Sequence, residues 1–386
     1  MDTIITQVHS LSQNADQAGR RSIQHALRRL LLELQDPKDI FYQLLNGPVV
    51  LTVVRLSMDL KLFEALANSD SPRTVTSLAE QLKAGPDLLA RILRYLASHN
   101  LIQETGVEEF AGNLTTQLLA KKGTDAIFSH GFHVAGPVLQ VTPTFLTETK
   151  YQDISETNKT PFQKAFNTDL SASEWLAEHP EQTQHVQQAM LSTQTGEWVQ
   201  NFESLDNTVN SFIESRQASS DRPFFVDIGG SYGHQTIHLR DKHPSLTGCL
   251  VLQDQKHVVD QVPTLEGIKV MAQDIFTPQA IQDARFYYLS RVLHDFPDES
   301  CVKILQNIIP AMTSESRILI DETVLPDTNV SWQATMGDLY MMFMAGGKER
   351  SERQWRDLAG SAGLQVTHLH VYDSSHHRAV LVLEKE

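Results

Sequence analysis

Cysteine is almost missing from this chain of 386 residues: Cys249 and Cys301 are the only two. So few thiols give no disulfide framework and fit a reducing, cytoplasmic setting. Positive charge is scarce as well, with 32 Lys and Arg against 47 Asp and Glu and a net charge of -15. That balance opposes attraction to nucleic acid or to anionic lipid, so neither is expected as a partner. No apolar run approaches the roughly 20 residues of a membrane helix. The start, MDTIITQVHS, lacks the basic residues and apolar core of a signal peptide. Repeats and low-complexity tracts are absent too. What is present is ordinary for a soluble globular protein, 41% hydrophobic and 20% charged residues. The length predicts one large and one smaller domain.

Three regions follow from the changing period. Residues 1–120 read as helical. In SIQHALRRLLLELQ, Ile23, Leu27, Leu30, Leu31 and Leu34 share one face, and Pro37 ends the run. That face either meets a second subunit or folds back on its own chain. From Gly47 onward, VVRLSMDLKLFEAL, TVTSLAEQL and PDLLARILRYLAS read as short helices, and LIQETGVEEFAGN as a hairpin turning at Gly106. Helix, turn, helix, hairpin is a winged-helix-like order. Residues 51–110 hold six Lys and Arg against eight Asp and Glu, whereas a duplex-binding face carries a basic excess. A dimerisation and substrate-covering domain is the expected role. Residues 121–220 read as a helical connecting region. Its aromatic and methionine residues, Phe166 and Met190 among them, suit either core or pocket lining. Residues 221–386 alternate short apolar strands with helices, which predicts a mostly parallel sheet covered on both faces. Two further strands, VTHLHVY and AVLVLEK, close the chain.

The stretch FFVDIGGSYGHQTIHLR carries the most chemistry. A buried strand runs into Asp227, then Gly229, Gly230 and Gly233, where a helix begins. Glycines let the backbone turn sharply and let a ligand approach. The spacing is not the dinucleotide G-x-G-x-x-G. Asp227 would also set a carboxylate where a pyrophosphate should sit, an acid that a cationic sulfonium amino acid tolerates far better. The next strand ends at Asp254, 25 residues beyond Gly229, an offset suited to ribose hydroxyls. The third ends at Asp274, placed to accept from an adenine amino group, with Ile275 or Phe276 flanking the ring. Three acids at three successive strand ends beside a glycine turn predict an adenosyl pocket.

The fourth strand ends in SRVLHDFPDE, which puts His294 in the crevice where open α/β sheets bind ligands. A histidine there suits removal of a proton from a phenol-like hydroxyl. Alone it would read as a surface residue capping a turn. Glu322 in ILIDETVLP and Glu349 in AGGKERSE supply carboxylates able to fix its tautomer and stabilise the imidazolium. HLH (368–370) and SSHHR (374–378) offer no plausible metal set, and no metal is expected.

VDIGGSYG, LVLQD, QDIF, LHDFPDE, DETVLP, GGKERSE and the Leu-Ala-x-x-Ala-Gly-Leu run at 358–364 resemble, in order and spacing, the caffeic-acid-type small-molecule O-methyltransferases, most nearly the fungal polyketide branch. The resemblance spans about residues 45–386. It implies a Rossmann-like S-adenosyl-L-methionine (SAM) domain behind a helical dimerisation domain, and a homodimer whose N-terminal region completes the partner's active site. It also implies that Gly229, Asp254 and Asp274 bind SAM, that His294 is the base with Asp295 beside it, and that Glu322 and Glu349 orient it. Ser231 stands where the family has a third glycine, followed by Tyr232. Ser290 stands where a Lys is common, and Met344 where plant members carry a substrate-contacting Asn. Trp332, Met336, Tyr340 and Met344, with His133, Phe166 and Met190, are expected to line an apolar acceptor site. The expected reaction is methyl transfer to a hydroxyl of an aromatic or polyketide-type molecule. A second expectation keeps SAM without transferring its methyl, as a dehydratase or pericyclase using His133, Arg291 and Asp295. A DNA-binding regulator is the third reading and the one the acidic balance opposes.

Overall fold

The structure, a computed structural model, describes residues 2–193, 196–215, 222–374 and 376–386. The chain forms two compact units, Met1–Pro137 with His179–Thr193, and Val138–Glu178 with Gln194–Glu386. The region read from sequence as a connector, 121–220, is shared between them. Helix Pro180–Thr193 returns to the first unit, where Ser129 Oγ lies 3.2 Å from His185 Nδ1 on that helix.

In the first unit, helices Leu62–Ala67, Val75–Leu82 and Pro86–Ser98 enclose a core that includes Leu62, Phe63, Leu78, Leu89, Leu93 and Leu96. Thr74 caps the second of these helices, and Pro86 opens the third at its first position, as the sequence predicts. Strands β1 (Arg73–Thr74), β2 (Gln103–Gly106) and β3 (Glu109–Ala111) make a small antiparallel sheet in the order β1-β3-β2. The short helices read from Gly47 onward do not start there. One helix, Pro37–Asp59, runs through Gly47 and Pro48 for 23 residues. An interior proline removes one helical hydrogen bond, and Asn46, Gly47, Val49 and Val50 around it are weak helix formers, so local propensity does not account for the unbroken helix. By length and composition this helix is apolar enough to cross a membrane, contrary to the expectation that no run approaches that length. Its last turns, with Val54 and Met58, belong to the unit's core. Buried Arg55 pairs there with Asp59 and Asp125. On helix Gln17–Leu34, Leu27, Leu30, Leu31 and Leu34 of the face read from sequence are exposed, and Ile23 is half-buried.

The second unit is built on one sheet. Strands β4 (Phe225–Ile228), β5 (Leu250–Asp254), β6 (Ile268–Ala272), β7 (Phe286–Ser290) and β8 (Arg317–Leu325) are parallel, and short β9 (Arg350–Ser351) pairs with the end of β8. Strands β10 (Leu364–Asp373) and β11 (Arg378–Lys385) add an antiparallel edge, giving the order β10-β11-β8-β7-β4-β5-β6. Side chains alternate between faces. Val226, Ile228, Leu289, Ile318 and Ile320 pack with helices Asp298–Ile308 and Glu352–Ser361. Phe225, Leu252, Tyr288 and Leu319 pack on the other face with helix His234–Lys242. The order reverses at β4, with β5 on one side and β7 on the other, which opens a crevice beyond its carboxyl end. Every catalytic and cofactor-binding residue proposed from sequence lies on a strand of this sheet, in the segment just beyond one, or in a segment packed against one.

Ile320 sits between Leu289 of β7 and Leu381 of β11, all three buried. Ile320→Ala is expected to cost about 2–5 kcal/mol, read as a lower urea midpoint for the transition of this unit.

Candidate active site

The cofactor side begins at the turn after β4. Gly229 (φ +72°) and Gly233 (φ +78°) occupy left-handed backbone that glycine takes without strain. The glycines are needed less for an approaching ligand than for the protein's own packing. A Cβ on Gly229 would lie 2.8 Å from Val292, and one on Gly230 would lie 2.4 Å from Leu252 and 2.5 Å from the Asp227 carboxyl carbon. Ser231 takes the left-handed region at φ +53°, a conformation that costs a side-chain-bearing residue roughly 1–2 kcal/mol. Its reward is direction, because the Ser231 N–H donates to Asp254 Oδ2 at 2.8 Å. The other oxygen of Asp254 accepts from the Gln255 N–H at 2.7 Å. Desolvation lifts the Asp254 carboxyl above its ordinary range, against the pull of these two bonds.

Asp227 is buried beneath the turn. Its Oδ2 accepts from Thr236 Oγ1 at 2.6 Å, while Oδ1 has no hydrogen-bond partner. Burial raises this carboxyl to about 7. A buried acid with one unmatched oxygen suits a positively charged ligand, which would keep it ionised. Asp274 is exposed and caps the Phe276 N–H at 2.9 Å. Of the two residues expected to flank an adenine, Ile275 packs against the core. Phe276 is 45% exposed and stands edge-on to Phe296. Acids for a cation and for hydroxyls, an unmatched buried oxygen and a tight turn form a donor set that fits an adenosyl sulfonium amino acid.

The chemical side is tighter. His294 lies in a 3-10 turn, Leu293–Asp295, just beyond β7, with its side chain 8% exposed. Its Nδ1 is 3.0 Å from Glu349 Oε1 and 3.7 Å from Glu322 Oε2, and its Nε2 is 3.5 Å from Asp295 Oδ1. The two glutamates do different work. Glu349 holds the ring, whereas Glu322 Oε1 accepts the backbone N–H groups of Leu293 and His294 at 3.0 and 3.3 Å and so holds the turn. When Nδ1 donates to Glu349, Nε2 is the ring nitrogen left to act on a substrate. Burial by itself would lower this imidazole, but Glu322, Asp295 and Glu349 outweigh it and raise it to about 9. Desolvation lifts Glu322 to about 7, opposed by the His294 charge. His294, Glu322 and Glu349 bring one ligating atom each within 4.8 Å of one another, a spacing that a divalent ion could bridge. In the arrangement described, the protonated ring itself supplies the balancing positive charge.

The remaining expected residues are dispersed. Phe166 stacks with Phe162 and Trp175 in an aromatic cluster, its ring 4.8 and 4.6 Å from theirs. Met344 is buried at the end of helix Trp332–Ala345, and Trp332 and Met336 are exposed on it. Burial raises the Tyr340 phenol on the same helix. His133 and Met190 belong to the first unit, His133 in the π-helical turn Gly131–Ala135 and Met190 on helix Pro180–Thr193. Four residues escaped the sequence reading. Arg350 is fully buried beside the histidine turn, and Asp298 pairs with it. Asp338 Oδ1 accepts the Glu349 N–H at 2.8 Å. On Gly347 a Cβ would lie 1.9 Å from the His294 carbonyl oxygen. The strings LHDFPDE and GGKERSE contain three of the four, but only spatial proximity reveals what they do.

The O-methyltransferase dimerisation domain family matches residues 42–119, and the O-methyltransferase domain family matches residues 151–365. Demethylsterigmatocystin 6-O-methyltransferase of Aspergillus flavus is 38% identical over 382 residues, 99% of this chain and 97% of that protein. Two solved structures, one described as a pericyclic reaction enzyme and one as LepI in complex with SAM, each superpose with a TM-score of 0.90 at 38% identity. They cover 100% of this chain and 99% and 98% of theirs. With its glycine turn, acid-tipped strands and carboxylate-held histidine in one crevice, this chain belongs to the fungal branch of the small-molecule O-methyltransferases, enzymes that depend on SAM.

Proposed function

We propose that this protein transfers a methyl group from SAM to a hydroxyl of a small aromatic or polyketide-type metabolite, with His294 as general base. The observation that carries the reading is the 3.0 Å bond from His294 Nδ1 to Glu349, which leaves Nε2 as the proton acceptor. Asp227, Asp254 and the turn Gly229–Gly233 would hold the cofactor, which when bound would supply an electrophilic methyl group on a positively charged sulfur. His294 Nε2 takes the hydroxyl proton as the oxygen attacks. Glu349 and Glu322 stabilise the resulting imidazolium. Alignment of the reactants can supply roughly 7–11 kcal/mol and base catalysis ~10²–10⁴-fold. Trp332, Met336 and Tyr340 offer an apolar helix surface for the acceptor. The protein works as a homodimer, supported by the dimerisation family match and by the exposed apolar face at Leu27–Leu34.

A second reading has its own support. The Arg291 backbone is left-handed (φ +55°) at the end of β7, and its Nη1 is buried without a hydrogen-bond partner. A guanidinium held this way, with Asp295 nearby, suits polarisation of a substrate carbonyl in a dehydratase or pericyclase; His133, the third residue of that reading, belongs to the first unit. A relative of equal likeness is described as a pericyclic reaction enzyme. The intact set of His294, Glu322 and Glu349 favours methyl transfer. The two readings part on S-adenosylhomocysteine, which is released in step with product only if the methyl moves.

His294→Ala is expected to bind SAM as tightly as the parent protein, by calorimetry, while S-adenosylhomocysteine release drops by ~10²–10⁴-fold. Full release by this variant would end the base assignment. The free base is the reactive form, and it grows as pH rises toward the raised imidazole value of about 9. The value of kcat/KM should therefore climb with pH and level off above that point, rather than peak near neutrality. Glu349→Gln removes one of the charges that raises the ring, so its profile should move to lower pH with a lower plateau. A profile already flat from pH 6 upward in the parent protein would contradict this.

A further inference from the structure

We infer that Arg350 is a positioning residue that fixes the distance between the proposed base and its orienting acid, by pinning the turn that carries His294 to the strand start that follows Glu349. The inference rests on the reading of His294 as base.

The guanidinium has no exposure at all, and a buried charge survives only when its donors are matched. Arg350 Nε and Nη2 donate to Asp298 Oδ1 at 2.9 and 2.7 Å. Nη1 donates to the carbonyl of Leu293 at 3.1 Å and Nη2 to that of Phe296 at 2.9 Å. Nη1 also reaches the Lys348 carbonyl at 3.4 Å, and the plane stands 5.0 Å over the Trp355 ring. One side chain thus grips the residue before His294, the second residue after it and the segment holding Glu349.

The backbone closes the same gap. Lys348 N–H donates to the His294 carbonyl at 2.9 Å, an approach that only a glycine at 347 permits, since any Cβ there would collide with that oxygen. Asp338 holds the Glu349 N–H, and Glu322 holds the Leu293 and His294 N–H groups. Asp298 is the external half of the pin, 53% exposed, and it also takes Lys348 Nζ at 2.7 Å. A planar fork with five donors can bind three separate carbonyls and a carboxylate at once, and a lysine cannot. Arg350 touches no reacting atom in this scheme; it acts through the ring and Glu349.

Asp298→Ala is the decisive variant, because its side chain is half exposed and it stands at the first helical position rather than the cap. Arg350→Lys accompanies it, and Asp298→Asn, which keeps an oxygen for the guanidinium, serves as the rescue. The readouts are kcat, the affinity for SAM by calorimetry, and the His294 ring titration by NMR in protein with 15N-labelled histidine. Expected for Asp298→Ala are unchanged SAM affinity, a kcat lower by about tenfold to a hundredfold, and a ring midpoint displaced downward as the imidazole slackens from Glu349, Glu322 and Asp295. Asp298→Asn should recover part of both. Parent-like kcat and ring titration in Asp298→Ala, whatever its Tm, would overturn the inference, as would loss of kcat only in step with loss of SAM affinity. The ring titration is read without turnover. Full activity of His294→Ala would thus remove the base while leaving the effect of Asp298 on the ring visible.

Discussion

Enclosure of one imidazole by three carboxylates is the constraint on which the active end of this molecule depends. A lone buried histidine would be neutral and free to turn. Here the charges of Glu322, Asp295 and Glu349 overcome the desolvation of the ring and lift it to about 9, and they do so only at the separations the backbone maintains. Glu322 spends one oxygen on the N–H groups of the turn, and Glu349 spends one on the ring. Their remaining oxygens, both buried, make no hydrogen bonds. Such a site is costly to assemble, since unmatched buried acids raise the free energy of the folded state. The surrounding brace of Arg350, Asp298, Asp338 and Gly347 offsets that cost by holding a geometry that would otherwise relax.

The opposite wall of the crevice obeys the same electrostatic rule with the signs arranged for a cation. Asp227 lies under the glycine turn with one oxygen bonded and one unmatched, raised to about 7 by burial. Asp254 is tied down by two backbone N–H groups, one of them aimed by the strained Ser231. Deeper in the same face, Asp321 accepts from Tyr288 and Tyr372, and its charge adds to the pressure on Asp227. A positively charged cofactor relieves this accumulation of acids, whereas a pyrophosphate would add to it. Family membership and physical fit therefore agree from independent directions.

Much of this was legible in the residues because strand periodicity and glycine chemistry are local. The runs 224–228, 246–254, 267–274, 284–293 and 315–325 each contain a strand of the parallel sheet, and the two terminal runs form its antiparallel edge. The turn at Gly229–Gly233 and the acids at Asp254 and Asp274 stand at strand ends as read. Local reasoning failed where a distant partner decided. The short helices read from Gly47 onward begin instead inside one longer helix, Pro37–Asp59. Helix Pro180–Thr193 belongs with the first unit through contacts with Lys122–His130, more than fifty residues earlier.

The amino-acid order by itself marked the residues proposed for the chemistry: one histidine at a strand's end, glutamates 28 and 55 positions further on, and acids at the ends of successive strands. It determined these because strand length, glycine turns and acid placement are properties of short segments. Tertiary structure alone decided how the two glutamates divide their labour, why position 347 admits no side chain, and why an arginine inside a familiar string lies fully buried beside the His294 turn. Those facts depend on loops that end different strands meeting within about 3 Å, a distance set by the pairing of β7, β8 and β9 and by the packing around them. No spacing along the chain encodes it.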